Sequence, residues 1–233
     1  MIPLDPNLER IEIVAAALGP LREQLVFVGG CAAGLLISSP AAPPIRATLD
    51  VDLIAQVAVL SDYHRVETEL EARGFKRDVA DDAPICRWVY RNIQVDLMPT
   101  AENILGFANR WYPLAMETAS DFTLPNGVSI RLIGAPEFLG TKFEAFAGRG
   151  QGNLLASHDL EDILSVIAGR DELQDEIEHS SLELRIYLAQ GCGKLLAMPD
   201  FENYLPGMIL DDSHGGQSDL VLERLRDIVK LSA

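Results

Sequence analysis

Arg46-Ala47-Thr48-Leu49-Asp50-Val51-Asp52-Leu53 is the stretch that decides what kind of molecule this chain can be. On a strand the side chains alternate between faces, so Asp50 and Asp52 point to one side while Val51 and Leu53 point into a core. Two carboxylates about 7 Å apart along one strand face repel each other, and something positive should sit between them. Hard divalent cations prefer carboxylate oxygens, and Mg²⁺ is commonly held by one or two carboxylates plus the phosphates of a substrate. Taken alone, such a pair is common on exposed strands and reads more readily as two solvated acids.

The flanking sequence weighs against the solvated alternative. Upstream, Leu25-Val26-Phe27-Val28 reads as a short buried strand that runs into Gly29-Gly30 and then into Cys31 to Ile37, apolar enough for a buried helix. A Gly-Gly at a helix start offers free backbone N–H groups and the positive end of the helix dipole to an anion. The pair lacks the spacing of G-x-G-x-x-G and the Lys-Ser/Thr of a Walker loop, so a tight turn that needs glycine for steric reasons stands beside the anion reading. Downstream, Gln94-Val95-Asp96-Leu97 places Asp96 on the face opposite Ile93, Val95 and Leu97. If its strand neighbours that of Asp50 and Asp52, the three acids converge. That is a two-metal phosphoryl-transfer arrangement, in which one ion activates the attacking oxygen and the other steadies the leaving pyrophosphate.

Further outward, Asn7 to Leu18 has helical spacing, with Leu8, Ile11, Ala15 and Leu18 on one face, and ends at Gly19-Pro20. Ser38 to Pro44, with three prolines, is a loop. Thr48 to Val57 is predicted as a strand and Asp62 to Arg73 as a helix stopped by Gly74. Strands are predicted over Ile85 to Arg91 and Ile93 to Met98, joined at Asn92. A second hairpin, Asp121 to Leu124 and Val128 to Leu132, closes through Pro125-Asn126-Gly127, because Asn-Gly suits positive φ. After Gly134 strand signals fade, and helical patterns cover Pro136 to Ala147, His158 to Ala168, Leu173 to Ala189 and Ser218 to Leu231. The expectation is an α/β half over residues 1–134, a mixed sheet flanked by helices, followed by a helical region over residues 135–233.

Composition narrows the function. Apolar residues make up 48% of the 233 and are spread throughout, so a globular chain is expected. The longest apolar stretch, Leu25 to Ile37, is too short for a bilayer span and follows no basic leader, so the expectation is a soluble, cytoplasmic protein without a membrane partner. Cys31, Cys86 and Cys192 are widely spaced and odd in number, and read as buried apolar residues rather than disulfides or a zinc site. His64, His158, His179 and His214 show no ligand spacing. The formal charge is −16, half of it in residues 171 to 233, where Asp171, Glu172, Asp175, Glu176 and Glu178 crowd one predicted helix start. Nucleic-acid binding draws on Lys and Arg to neutralise phosphates, so no extensive nucleic-acid surface is expected.

Gly29-Gly30, Asp50-Val51-Asp52 and Asp96 together resemble the DNA polymerase beta-like nucleotidyltransferase superfamily, whose motif is a Gly-Gly at a helix start, a downstream Asp-x-Asp and a third Asp on a later strand. Within it, Arg46-x-Thr48-x-Asp50-x-Asp52-Leu53 is similar to the AbiEii/AbiGii-type toxin nucleotidyltransferases of abortive-infection and toxin–antitoxin systems. These also carry a Lys on a later helix, then an Arg and an Asp-x-x-Asp helix, places that Lys142, Arg149 and Asp159 to Asp162 could fill. The resemblance spans roughly residues 25 to 165. Nineteen residues separate Gly30 from Asp50, a longer gap than is usual, with the proline-rich loop as the surplus.

The resemblance implies a transfer of a nucleoside monophosphate from an NTP to an acceptor hydroxyl, with Mg²⁺ or Mn²⁺. Gly29 and Gly30 would hold the triphosphate, with Arg46, Thr48 and Arg149 also on the nucleotide. Asp50 and Asp52 would bind both metals, Asp96 would join the metal that activates the acceptor, and Lys142 would neutralise phosphate charge. For Lys142 a solvated helix position is the alternative, and for Asp159 and Asp162 a capping or surface role. The implied acceptor is tRNA, another RNA or a protein, with a cognate antitoxin as a further partner. Any nucleic acid is expected near Arg46, Arg87, Arg91 and Arg149. Two other functions stay open: an adenylyltransferase acting on a small cationic molecule such as an aminoglycoside, and a non-catalytic, antitoxin-like module that keeps the fold.

Overall fold

Residues 5–149, 156–209 and 216–232 are described by the computed structural model. They form two compact units, one from Asn7–Ala32 with Ala47–Gly134, the other from Ala33–Arg46, the described residues after Gly134 and Asp5-Pro6.

The first unit is built on a mixed seven-stranded sheet of β1 (Leu25–Val28), β2 (Asp50–Ala55), β3 (Lys76–Arg77), β4 (Arg87–Tyr90), β5 (Ile93–Pro99), β6 (Ser120–Thr123) and β7 (Ser129–Leu132), in the order β3-β4-β5-β2-β1-β7-β6. The β2–β5 and β1–β7 pairs are parallel and the rest antiparallel. β1 is apolar and buried at all four positions, as a strand covered on both faces must be. β2 alternates instead: Val51 and Leu53 are fully buried while Asp50 and Asp52 are half-exposed. Helix α1 (Leu8–Leu18) buries Ile11, Val14, Ala15 and Leu18. After the short α2 (Gly29–Ala32), helix α3 (Leu60–Ala72) buries Tyr63 and Leu70, and the Tyr63 hydroxyl donates to the Leu97 carbonyl of β5 at 2.9 Å.

Two turns set the register at the sheet edges. Arg91 and Asn92 both adopt positive φ, 47° and 65°, and form the two-residue connection between β4 and β5. Tyr90 therefore faces Ile93, and counting outward Arg87 faces Asp96. In the second hairpin Gly127 takes φ 83° between β6 and β7, as the Asn-Gly pair leads one to expect.

The second unit is helical, with α6 (Ala135–Arg149), α7 (His158–Gly169), α8 (Leu173–His179), α9 (Leu182–Leu196), α10 (Phe201–Met208) and α11 (Gly216–Lys230). All of these but α10 fall on the patterns expected for them. The single helix expected over Leu173 to Ala189 is two, because Ser180 and Ser181 interrupt it and the Ser181 hydroxyl caps α9 by accepting from the Leu184 N–H at 3.3 Å. Three helices escape periodicity: α10, which contains Pro206, and the short α4 (Glu102–Leu105) and α5 (Tyr112–Thr118) of the sheet unit. The helix expected over Cys31 to Ile37 is α2 followed by a 3₁₀ turn over Ala33–Leu36. The proline-rich loop is stitched into the helical unit, since Ser38 and Ser39 N–H both donate to the Gly169 carbonyl, at 3.0 and 2.9 Å. Among the described residues no helix is long and apolar enough to cross a membrane.

Candidate active site

β2 and β5 run side by side and parallel, with Asp52 opposite Asp96 and Asp50 opposite Gln94. Residues directly opposite in register share a face, so the period-two patterns of the two strands bring the three acids together, as expected. One oxygen from each of Asp50, Asp52 and Asp96 lies within 4.8 Å of the others. Asp96 is buried, at 8% exposure, whereas Asp50 and Asp52 face outward more openly.

β1 contributes from the other side, because Val28 is the register partner of Asp52 and Gly29 follows it. Gly29 has φ 72°, and a Cβ built on it would lie 1.7 Å from Asp52 Oδ2. Glycine is required there twice over, by the backbone and by the close approach of the carboxylate. Of the two readings of Gly29-Gly30, the steric one thus has a direct structural cause.

The positive group that the strand pattern calls for is Arg87. It stands opposite Asp96 on β4, donating from Nε to Asp96 Oδ1 at 2.8 Å and from Nη2 to Asp96 Oδ2 at 2.7 Å. Nη2 also reaches Asp50 Oδ2 at 3.4 Å. The hydrogen bonds to Asp96 push the guanidinium further above its ordinary pKa, against the effect of burial, so Arg87 is charged at neutral pH. Sequence reasoning set Arg87 aside as a nucleic-acid contact. The two-residue turn carried the missed signal, since pairing Tyr90 with Ile93 obliges Arg87 to meet Asp96.

Arg46, Lys142, Asp159 and Asp162, also singled out in the sequence, belong to a second ionic cluster, inside the helical unit. Lys142 on α6 pairs with Asp159 at 3.2 Å and Asp162 at 2.7 Å on α7. Arg46 pairs with the same Asp162 at 3.2 Å and with Glu161 at 3.4 Å. Asp162 is almost fully buried and carries two cations, which is what a carboxylate at that depth requires. The α7 cap is Ser157, whose hydroxyl accepts from the Leu160 N–H at 3.3 Å, so neither Asp159 nor Asp162 is needed for that task. Thr48 lies in the sheet unit, where its N–H donates to Asn7 Oδ1 at 2.8 Å and its hydroxyl to the Asp50 carbonyl at 3.2 Å. It braces the start of β2. Arg149 is the last residue of α6, and its side chain lies outside the described residues, as does His214.

The cysteines are free and buried. Burial foremost, with Asp96 next, pushes the Cys86 thiol up to about 12, and burial does the same for Cys192. Neither is a thiolate at neutral pH. His64, His158 and His179 bond to Glu67, Glu161 and the Asp175 carbonyl on their own helices.

Whether the triad suits a divalent ion can be tested on its own donors. All three are carboxylates, with no imidazole or thiolate among them, which is the ligand chemistry of Mg²⁺ and Mn²⁺ rather than of zinc. Three carboxylates against the Arg87 guanidinium leave a formal excess of two negative charges, the charge of one such ion. The residues fit.

No family model and no curated protein matches this sequence. Among solved structures, the chain is similar to an antigenic nucleotidyltransferase-like protein from Paracoccidioides brasiliensis, with a TM-score of 0.54 and 21% identity over 90% of this chain and 96% of that one. It also aligns with JHP933 from Helicobacter pylori at a TM-score of 0.47 and 12% identity, over 99% of this chain and 94% of that one. The fold, a mixed sheet flanked by helices with a helical C-terminal region, is therefore nucleotidyltransferase-like.

Proposed function

We propose that this chain is a metal-dependent nucleotidyltransferase, which joins an acceptor hydroxyl to the α-phosphorus of an NTP and releases pyrophosphate. The observation that carries the proposal is the convergence of Asp50, Asp52 and Asp96 from adjacent parallel strands within a nucleotidyltransferase-like fold. In this reading Asp50 and Asp52 would bind both Mg²⁺ or Mn²⁺ ions, and Asp96 would join the one that activates the acceptor. Bound there, the ions would neutralise triphosphate charge and lower the pKa of the acceptor hydroxyl. Gly29 lets the backbone approach Asp52 closely, and Gly29 and Gly30 flank the triphosphate. Thr48 steadies β2, while Arg46, Lys142 and Arg149 supply cationic charge toward the nucleotide. We assign the acceptor to RNA, tRNA in particular, or to protein, and the physiological role to the toxin of a toxin–antitoxin pair, on the likeness of Arg46-x-Thr48-x-Asp50-x-Asp52 to the AbiEii/AbiGii type.

The test is incubation with each labelled NTP, Mg²⁺ or Mn²⁺, and separate pools of tRNA, protein and aminoglycosides. Label should appear in one macromolecular pool. Asp52→Asn should lower that transfer about a hundredfold or more while the circular dichroism spectrum is kept, because the change removes a charge from a site built around cations. Lys142→Ala, which retains a good helix former, should weaken NTP binding. Transfer by Asp52→Asn at the wild-type rate would refute the metal assignment, and label in the aminoglycoside pool alone would refute the acceptor.

A further inference from the structure

Arg87 does something that a two-ion site would not ask of a neighbour: its fork covers both oxygens of Asp96, at 2.8 and 2.7 Å. An ion chelated by Asp96 would need that same edge of the carboxylate. The guanidinium would also repel a divalent cation a few ångströms away. Nor is Arg87 a loosely held surface group, for its side chain is 18% exposed and stands in strand register with its partner. Arginine suits the place, since its planar fork matches a carboxylate and it is more weakly hydrated than an ammonium.

We propose that Arg87 is a counter-cation built into the acidic site, which occupies Asp96 and limits the three carboxylates to one divalent ion until a further anion is bound. The inference rests on the metal reading above and deepens it. With Arg87 on Asp96, the formal excess of two negative charges is balanced by a single ion at Asp50 and Asp52. A second ion at Asp96 must displace the fork, and the negative charge of an incoming triphosphate is the natural compensation. Arg87 is thus a positioning residue that couples occupation of the acceptor-side ion to arrival of the nucleotide.

The test uses the full chain without nucleotide, with Mn²⁺ as probe and free Mn²⁺ read by electron paramagnetic resonance. The wild type should bind one ion, and Asp52→Asn should lose it. Arg87→Gln, which is neutral, should bind a second ion or bind Mn²⁺ about tenfold more tightly, and Mn²⁺ should raise its melting temperature by more than it raises that of the wild type. In Arg87→Gln/Asp96→Asn the gain should vanish. Wild-type stoichiometry and affinity in Arg87→Gln would overturn the proposal, as would a gain that survives the loss of Asp96. Should Arg87→Gln not fold, Arg87→Met, which is likewise neutral and of similar length, serves under the same criterion. If no Mn²⁺ binding depends on Asp52 in either the wild type or the variant, the metal reading itself fails, and this inference with it.

Discussion

Gly29 shows at the scale of one residue how backbone and site chemistry are bound together. Its φ of 72° costs an L-residue about 1–2 kcal/mol, and the missing Cβ leaves the room into which the Asp52 carboxylate fits. Gly29→Ala should therefore destabilise the chain by about 2 kcal/mol or more and should also move Asp52. Gly127, with φ 83° and nothing within 4 Å of where a Cβ would stand, separates the two effects. Gly127→Ala should cost about 1 kcal/mol and leave Mn²⁺ affinity untouched. Denaturant midpoints and Mn²⁺ titrations of the two variants provide the check, and equal Mn²⁺ affinity in both would separate Gly29 from the acidic site. The three aspartates were legible because each stands out against an apolar alternation that a strand makes visible. The partners of Asp162 were not, since Arg46, in the segment before β2, and Lys142, on α6, are far from Asp162 in sequence and meet it only through tertiary packing.

At the scale of an element, the β4–β5 hairpin decides whether Arg87 meets the acids at all. A slip of one residue would turn Arg87 to the opposite face and leave Asp96 buried without its fork. Register here depends on Arg91 and Asn92, both at positive φ, and arginine is poorly suited to that conformation. Replacing the pair by Asn-Gly, the preferred sequence for such a turn, should stabilise the chain by about 0.5–1 kcal/mol with Mn²⁺ affinity unchanged. A loss of stability on thermal denaturation would show that the Arg91 side chain, which lies over the Tyr90 ring, contributes more than the turn strain costs. The strands were readable because apolar and polar residues alternate over Asp50 to Leu53 in β2 and Ile93 to Leu97 in β5. The break between α8 and α9 was harder to see, because apolar residues continue across Ser180-Ser181 and only the capping geometry of Ser181 marks the new start.

Charge and chain path belong to the whole molecule. The acids crowded at Asp171 to Glu178 suggest a surface that recruits cations, but three of the five have internal partners: Asp171 pairs with Arg224, Glu172 accepts from the Ser38 hydroxyl and Glu176 pairs with Arg170. The Ser38 hydroxyl holds the Glu172 carboxyl below its usual range. Much of this charge therefore serves the fold, which removes support from recruitment of an aminoglycoside. Arg46 and Arg87, expected near a nucleic acid, are likewise engaged by carboxylates. The same contacts show that the helical unit is not made by the C-terminal half alone. Leu36, Ile37, Ala42 and Ile45 are buried, and Gly169 leaves room for Ile37, whose Cδ1 would lie 2.6 Å from an added Cβ. Gln217 donates to the Ala41 carbonyl at 2.8 Å, and Arg46 neutralises Asp162. A fragment of residues 135–233 would lose all of this, exposing apolar surface on α7 and leaving Asp162 with Lys142 as its remaining cation among these two. We expect that fragment to be helical by circular dichroism yet to melt without a sharp transition and at a lower temperature than the full chain. In the full chain the Ser38 and Ser39 amides, both bonded to the Gly169 carbonyl, should resist hydrogen exchange as helix amides of α7 do. A fragment that melts as cooperatively and as high as the intact protein, or rapid exchange at Ser38 and Ser39, would mean that the segment 33–46 merely lies on the helices and does not complete them.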